Sequence, residues 1–150
     1  MNYATTQLVI EKSEPMPPTA AVVGLLRKWG LASRTQECFW VIAYDSAMNI
    51  RTVSEINKGS YATVGVHLPS LFALVLAAGA DRFQVAHNHP DGNANPTAKD
   101  IQVTQTIMDG ANVLGLFFED HHIVGPTGNH YSFAAHKRLL PAPYTGEMSS

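Results

Sequence analysis

The stretch that most constrains this chain covers residues 87–100 and reads His-Asn-His-Pro-Asp-Gly-Asn-Ala-Asn-Pro-Thr-Ala-Lys-Asp. It follows a short apolar run at residues 83–86, which is typical of a buried strand, and it precedes a run with helical spacing. It is therefore predicted to be a strand-to-helix connection, a position at which loops often carry the chemistry of a protein.

His87 and His89 are two residues apart on this predicted strand. Because side chains of a strand alternate between its faces, both imidazoles are expected on one face, about 6.5 Å apart along the backbone. Asp100, in the first turn of the following helix, supplies a third and anionic ligand. These three ligands leave a tetrahedral zinc ion one open position for water, as in a catalytic site rather than a closed structural one. The sequence thus predicts Zn²⁺ as cofactor, held by His87, His89 and Asp100.

Each half of this pattern also has a simpler interpretation. His-x-His occurs by chance, and Thr97 followed three residues later by Asp100 is typical of a capping box at a helix N-terminus. Neither fragment alone discriminates a metal site, whereas the two together are far more specific. Capping by Thr97 is compatible with a functional role for its hydroxyl group.

The complete pattern has His-x-His-Pro, then a glycine, a proline before Thr97, and an aspartate three residues after that threonine. It closely resembles the JAMM motif of JAB/MPN domains, and in particular the RadC family's form, His-Asn-His-Pro-Ser-Gly followed by Pro-Ser-x-x-Asp. This chain has Asp91 and Thr97 where that family usually has serine, and threonine keeps the hydroxyl. The resemblance covers roughly residues 19–134 and includes segments outside the motif, at residues 37–45, 58–60, 66–67, 120–121 and 123–125.

The resemblance implies a zinc-dependent hydrolase of the JAMM metallopeptidase type, which cleaves a peptide or isopeptide bond in a peptide or protein substrate. Such a reaction needs a carboxylate that activates water and later protonates the leaving amine. Spacing alone does not choose between Glu37 and Glu55. The resemblance favours Glu37, because the JAMM glutamate lies at the start of the first strand of the domain.

The resemblance also implies that Thr97 helps to hold the tetrahedral intermediate, and that His121, which follows Asp120 at a matched position, lies near the site. The alternative function is a non-catalytic, zinc-stabilised binding domain associated with DNA repair. An open zinc position beside Glu37 favours the enzyme, and a fourth protein ligand or a distant Glu37 favours the binding domain.

Composition limits the other classes of function. The 150 residues, 45% hydrophobic and 15% charged, suit one globular domain with a substantial core. A net charge of -2, with ten scattered Lys and Arg residues, predicts weak or no direct nucleic-acid binding. The single cysteine, Cys38, is predicted to be a buried thiol in a cytoplasmic protein. No secretory signal or membrane span is predicted, because the longest apolar stretch, residues 71–80, is about half of what a bilayer needs.

Strand and helix patterns alternate without a strict βαβ repeat, so the predicted fold class is α/β, a mixed central sheet flanked by helices on both faces. The resemblance implies the same fold, a JAB/MPN sandwich related to cytidine deaminases. An N-terminal extension (1–18), a RadC-like domain (19–140) and a disordered tail (141–150) are predicted. Predicted helices cover residues 19–29, 69–78, 97–110 and 134–140, and predicted strands cover residues 37–44, 50–57, 61–66, 83–89, 113–118, 121–124 and 130–133, with a further edge strand within residues 1–10.

Overall fold

A computed structural model of the chain describes residues 5–7, 15–56 and 66–138. Six strands of this described part form one sheet in the order β1-β3-β2-β4-β5-β6. β4 and β5 are parallel, and the other neighbouring pairs are antiparallel. In chain order the elements are β1 (Thr5–Gln7), a 3-10 turn (Thr19–Ala21), α1 (Val22–Lys28), a second 3-10 turn (Leu31–Ser33), β2 (Phe39–Tyr44), β3 (Ile50–Ile56), α2 (Leu68–Ala77), β4 (Arg82–Asn88), α3 (Ala98–Leu114), β5 (Phe117–Val124) and β6 (His130–Ser132).

The sheet separates two apolar cores, because alternate residues of its central strands point to opposite faces. On one face, Phe39 and Val41 of β2 share a core with residues of α2 and α3. On the other face, Trp40 and Ile42 pack with residues of α1. β2 is buried along its whole length, which explains why its sequence is almost continuously apolar. The predicted mixed sheet with helices on both faces is confirmed.

The connection from β4 to α3 places residues 87–100 at one edge of the core that β2 shares with α2 and α3. The strand pairing continues one residue past β4, since the His89 N–H donates to the Val124 carbonyl at 2.9 Å. Gly92 then adopts a positive φ of 96°, which a residue with a side chain rarely adopts. Thr97 caps α3 and fixes where the helix begins.

Helix α3 is longer than predicted, and this changes the strand that follows. The predicted end at Gly110 is wrong, because the helix continues to Leu114 and ends where Gly115 adopts a φ of 74°. Gly110 is a packing residue instead, since a Cβ there would come within 2.7 Å of the Phe72 ring. The strand predicted at residues 113–118 therefore begins only at Phe117, and it continues through the strand predicted at residues 121–124 as one strand, β5.

The C-terminal part of the described chain also differs from the prediction. Residues 133–137 form turns rather than the start of a closing helix. Of the strand predicted at residues 61–66, residues 61–65 lie outside the described residues and Val66 is not in a strand. The predicted tail at residues 141–150 also lies outside the described residues. Cys38 is buried, as predicted. Among the described residues there is no helix with the length and apolar character needed to cross a membrane.

Candidate metal centre

His87 and His89 lie at the carboxyl end of β4 and turn their rings to the same side of the sheet. Their Nε2 atoms are 3.0 Å apart. The His87 ring stacks over Phe39, its partner across the β2–β4 pairing, with a centroid distance of 6.1 Å. Both histidines are buried, so packing and strand register fix the orientation of their imidazoles.

Asp100 reaches the same point from the first turn of α3. Its Oδ1 is 3.2 Å from His87 Nε2, and its Oδ2 is 3.1 Å from His89 Nε2. The carboxylate is fixed by the capping box, in which the Thr97 N–H donates to Asp100 Oδ2 at 2.9 Å and the Asp100 N–H donates to Thr97 Oγ1 at 3.2 Å. Helix capping and the approach to the imidazoles are therefore two uses of one carboxylate.

The charge at this point favours a cation. Burial alone would raise the pKa of Asp100, but its hydrogen bonds with His87 and His89 outweigh burial and hold that pKa well below its usual value. The hydrogen bond to Asp100 in turn raises the pKa of His89 above its ordinary value, against the opposing effect of burial. The carboxylate thus stays ionised and attracts either a proton or a metal cation to the imidazole nitrogens.

The atoms that meet here fit a zinc ion. Zinc bonds of about 2.0–2.1 Å to nitrogen and oxygen place neighbouring ligand atoms of a tetrahedron about 3.3 Å apart. The two imidazole Nε2 atoms are 3.0 Å apart, and each lies 3.1 to 3.2 Å from a different oxygen of the Asp100 carboxylate. His89 Nδ1 lies 2.6 Å from the Asn93 carbonyl, which can only accept, so that nitrogen carries the proton and Nε2 is left to a cation.

Glu37 lies two residues before β2 on the open side of the same group. Its Oε2 is 3.9 Å from His89 Nε2, and its side chain is 39% exposed. Glu37, His87 and His89 each offer one ligand atom, and these atoms lie within 4.8 Å of one another. Asp100, at 3.1 Å, is closer to His89 Nε2 than Glu37 is.

Asn88, between the two histidines, points to the opposite face and holds the segment that carries Glu37. Its Oδ1 accepts the Cys38 N–H at 2.6 Å, and its Nδ2 donates to the carbonyls of Arg34 and Gln36 at 3.2 and 3.0 Å. The amide therefore ties residues 34–38 to the end of β4. Sequence reasoning did not single out Asn88, although a polar residue at an alternate position of a buried strand was an available signal.

Glu55, the other candidate base, is not brought to this group. It lies on β3 and pairs with Trp40 of β2, whose side chain faces the α1 side of the sheet. Its Oε1 accepts the Trp40 indole N–H at 2.9 Å and pairs with Arg34 at 3.0 Å. The sheet thus stands between Glu55 and His87.

A cavity of about 230 Å³ opens beside these residues. Its polar side includes Glu37, Thr97 and the three candidate metal ligands, and its apolar side is formed by Phe39, Val66 and Val103. The candidate metal ligands and Glu37 thus line one cavity.

The chain matches the family model for the RadC-like JAB domain over residues 18–139. This chain belongs to the RadC-like JAB domain family. Its relatives include a UPF0758 protein of Trichormus variabilis, 34% identical over 123 residues, which are 82% of this chain and 49% of the relative. A UPF0758 protein of Synechocystis sp. is 33% identical over the same shares of the two chains, and one of Porphyromonas gingivalis is 30% identical over 69% of this chain and 46% of the relative.

This RadC-like JAB domain spans about half the length of the curated relatives it matches. Their names state no activity. Family membership thus gives the domain type, and Glu37, His87 and His89 stand as possible metal ligands on the geometry of this chain.

Proposed function

We propose that this RadC-like JAB domain is a zinc-dependent hydrolase that cleaves a peptide or isopeptide bond. The observation that carries the proposal is the arrangement of four residues beside one cavity. His87, His89 and Asp100 approach one another within 3.2 Å, and Glu37 stands 3.9 Å from His89 on the open side. A closed structural zinc site has four protein ligands at similar distance, whereas here the fourth side is occupied by a more distant carboxylate and by the cavity.

His87, His89 and Asp100 would hold the zinc ion. Zinc bound there would supply a water molecule of lowered pKa and polarise the carbonyl group of the substrate. The chain's own task is to keep the three ligands fixed, which the β4 backbone does for the histidines and the capping box does for Asp100.

Glu37 is proposed as the general base and acid. Its carboxylate takes a proton from the attacking water as the water oxygen bonds to the carbonyl carbon. It then gives that proton to the amine nitrogen as the carbon–nitrogen bond breaks. One water is consumed, and Glu37 ends in its starting state.

Thr97 is proposed to assist at the carbonyl oxygen. Its hydroxyl lines the cavity and is oriented by the hydrogen bond that it accepts from Asp100 N–H. A hydroxyl held in place can donate to an oxygen on which negative charge develops, and such a donor is worth most in a site that excludes water.

The test is the substitution Glu37→Gln, compared with Glu55→Gln as a matched control on the opposite face. Because an amide cannot take up the proton, we expect hydrolysis of a panel of peptide and isopeptide conjugates to fall at least about a hundredfold in Glu37→Gln. Zinc content should equal that of the wild type. Glu55→Gln should keep wild-type activity, and a chelator should abolish activity in both active proteins.

Three results would contradict the proposal. Full chelator-sensitive activity in Glu37→Gln would remove Glu37 from the base role, and loss of zinc from this variant would make Glu37 a ligand. A zinc-loaded wild type that cleaves no member of the panel would favour the non-catalytic binding domain.

A further inference from the structure

His121 lies directly behind His87 and is 1% exposed. Its ring is stacked on Phe133 at a centroid distance of 4.7 Å and meets Phe39 edge-on. Both of its ring nitrogens have partners: Nε2 is 2.8 Å from His87 Nδ1, and Nδ1 is 2.6 Å from Thr104 Oγ1. A buried polar group with two such partners is fixed in orientation.

Hydrogen bonds join His87, His121 and Thr104 in series, and their direction follows from Thr104. Thr104 Oγ1 is 2.8 Å from the Asp100 backbone carbonyl, which can only accept, so the threonine gives its one hydrogen to that oxygen. The hydroxyl oxygen must then accept from His121 Nδ1–H. A ring buried among phenylalanines stays neutral and has only one N–H, so His121 Nε2 is an acceptor.

The consequence reaches the candidate metal centre. Because His121 Nε2 accepts, His87 Nδ1 must donate to it. With Nδ1 committed to that hydrogen bond, the nitrogen that His87 can offer to a cation is Nε2, the atom that faces His89 and Asp100. The series begins at the backbone carbonyl of Asp100 and ends beside the carboxylate of the same residue.

We infer that Thr104 and His121 are positioning residues that select the tautomer of His87 required for metal binding, and that they thereby raise the zinc affinity of the site. This inference rests on the zinc site of the proposed function but not on its peptidase activity. Partners of this kind for metal-binding histidines typically change metal affinity by about tenfold to a hundredfold.

The experiment compares Thr104→Val, which has the same shape without the hydroxyl, with Thr104→Ser, which restores the hydroxyl. Zinc affinity is measured by competition with a chromophoric chelator. We expect Thr104→Val to bind zinc about tenfold to a hundredfold more weakly than the wild type. Thr104→Ser should regain most of this loss, and His121→Phe should resemble Thr104→Val.

The tautomer is read separately from two-bond ¹H–¹⁵N correlations of the histidine rings in metal-free protein. The wild type and Thr104→Ser should carry a proton on His87 Nδ1, whereas part of the Thr104→Val population should lack it. Unfolding of each variant in EDTA identifies any that fails to fold; if His121→Phe does, the two threonine variants still decide the question.

Equal zinc affinity in Thr104→Val and wild type would overturn the inference, and so would a wild type whose His87 Nδ1 carries no proton. If the wild type binds no zinc, the proposed function fails. The spectra of metal-free protein then still show whether Thr104 and His121 select the tautomer.

Discussion

His121 and His122 are neighbours on β5, and their side chains enter different hydrogen-bond series on opposite faces of the sheet. His122 Nε2 donates to Gln84 Oε1 at 2.7 Å, and His122 Nδ1 accepts from His130 Nε2 at 3.1 Å. Gln84 Nε2 donates to the Tyr44 hydroxyl at 3.0 Å, and that hydroxyl donates to Glu119. This series therefore runs from His130 to a carboxylate, with each donor matched to an acceptor.

Both hydrogen-bond series are buried, but they end at different groups. Burial lowers the pKa of His121 well below its usual value and lowers that of His122 to about 4, so both rings are neutral. The His122 series is closed by the carboxylate of Glu119. The His121 series ends at His87, where a second imidazole and the Asp100 carboxylate also converge beside a cavity. Close histidine pairs and a neighbouring carboxylate thus occur on both faces, since Asp120 Oδ2 lies 3.5 Å from His122 Nε2. The cavity beside His87 distinguishes the candidate metal centre.

The largest expected difference between the faces is in metal content. We expect about one zinc per chain in the wild type and none in His87→Ala, because that substitution removes one of three ligands. His122→Gln should retain zinc, since the closed series contributes no ligand. Elemental analysis after dialysis against a zinc-containing buffer measures this. Equal zinc content in His87→Ala and wild type would end the assignment of His87.

A smaller difference should appear in the pH dependence of stability. The pKa of His122 is about 4 in the folded protein and about 6.5 when the chain is unfolded. The unfolded state binds the proton first as pH falls, so the stabilisation present above pH 6.5 is lost between pH 6.5 and 4. The full loss is about 3 kcal/mol.

Urea unfolding in EDTA at a series of pH values between 7 and 4 measures this loss. His122→Gln keeps a donor for Gln84 but does not titrate, so its free energy of unfolding should fall less over this range than that of the wild type. Parallel pH profiles for the two proteins would show that His122 does not cause the loss.

The smallest expected effect concerns Tyr44. Tyr44→Phe removes the hydroxyl that joins Gln84 to Glu119 and leaves the buried Gln84 amide without that acceptor. We expect a loss of about 1 to 2 kcal/mol in the free energy of unfolding. Zinc affinity should not change, because this hydroxyl lies on the face opposite His87. A zinc affinity that falls together with stability would show that the two faces are energetically coupled.

Much of the fold could be predicted because local patterns agree with tertiary structure. The apolar runs at β2 and β4 are central strands, and the capping signal at Thr97 marks the start of α3. The end of α3 was predicted too early, because Gly110 favours a helix end only when tertiary contacts are left out. In the folded chain its lack of a side chain allows close contact with Phe72, and that contact is set by a distant helix.

Spacing alone could not choose between Glu37 and Glu55 for a related reason. It depends on strand register, which pairs Phe39 with His87 and Glu55 with Trp40 and so assigns the glutamates to different sides. Register between strands distant in sequence is not encoded in spacing along one strand. Thr104 did give a local signal, since a polar residue on the otherwise apolar face of a helix calls for a buried partner.

One oxygen atom of Asp100 links the candidate metal centre to the stability of a helix. Oδ2 accepts the N–H of Thr97 and also faces His89, so the carboxylate that caps α3 is oriented by both contacts. A cation that binds this carboxylate and the histidines of β4 joins the helix to the sheet. Its binding free energy is then also folding free energy, and a hundredfold excess of ligand over the dissociation constant adds about 2.7 kcal/mol to stability. A cation held there would thus link the first turn of α3 to metal occupancy, and its removal would weaken the junction between α3 and β4.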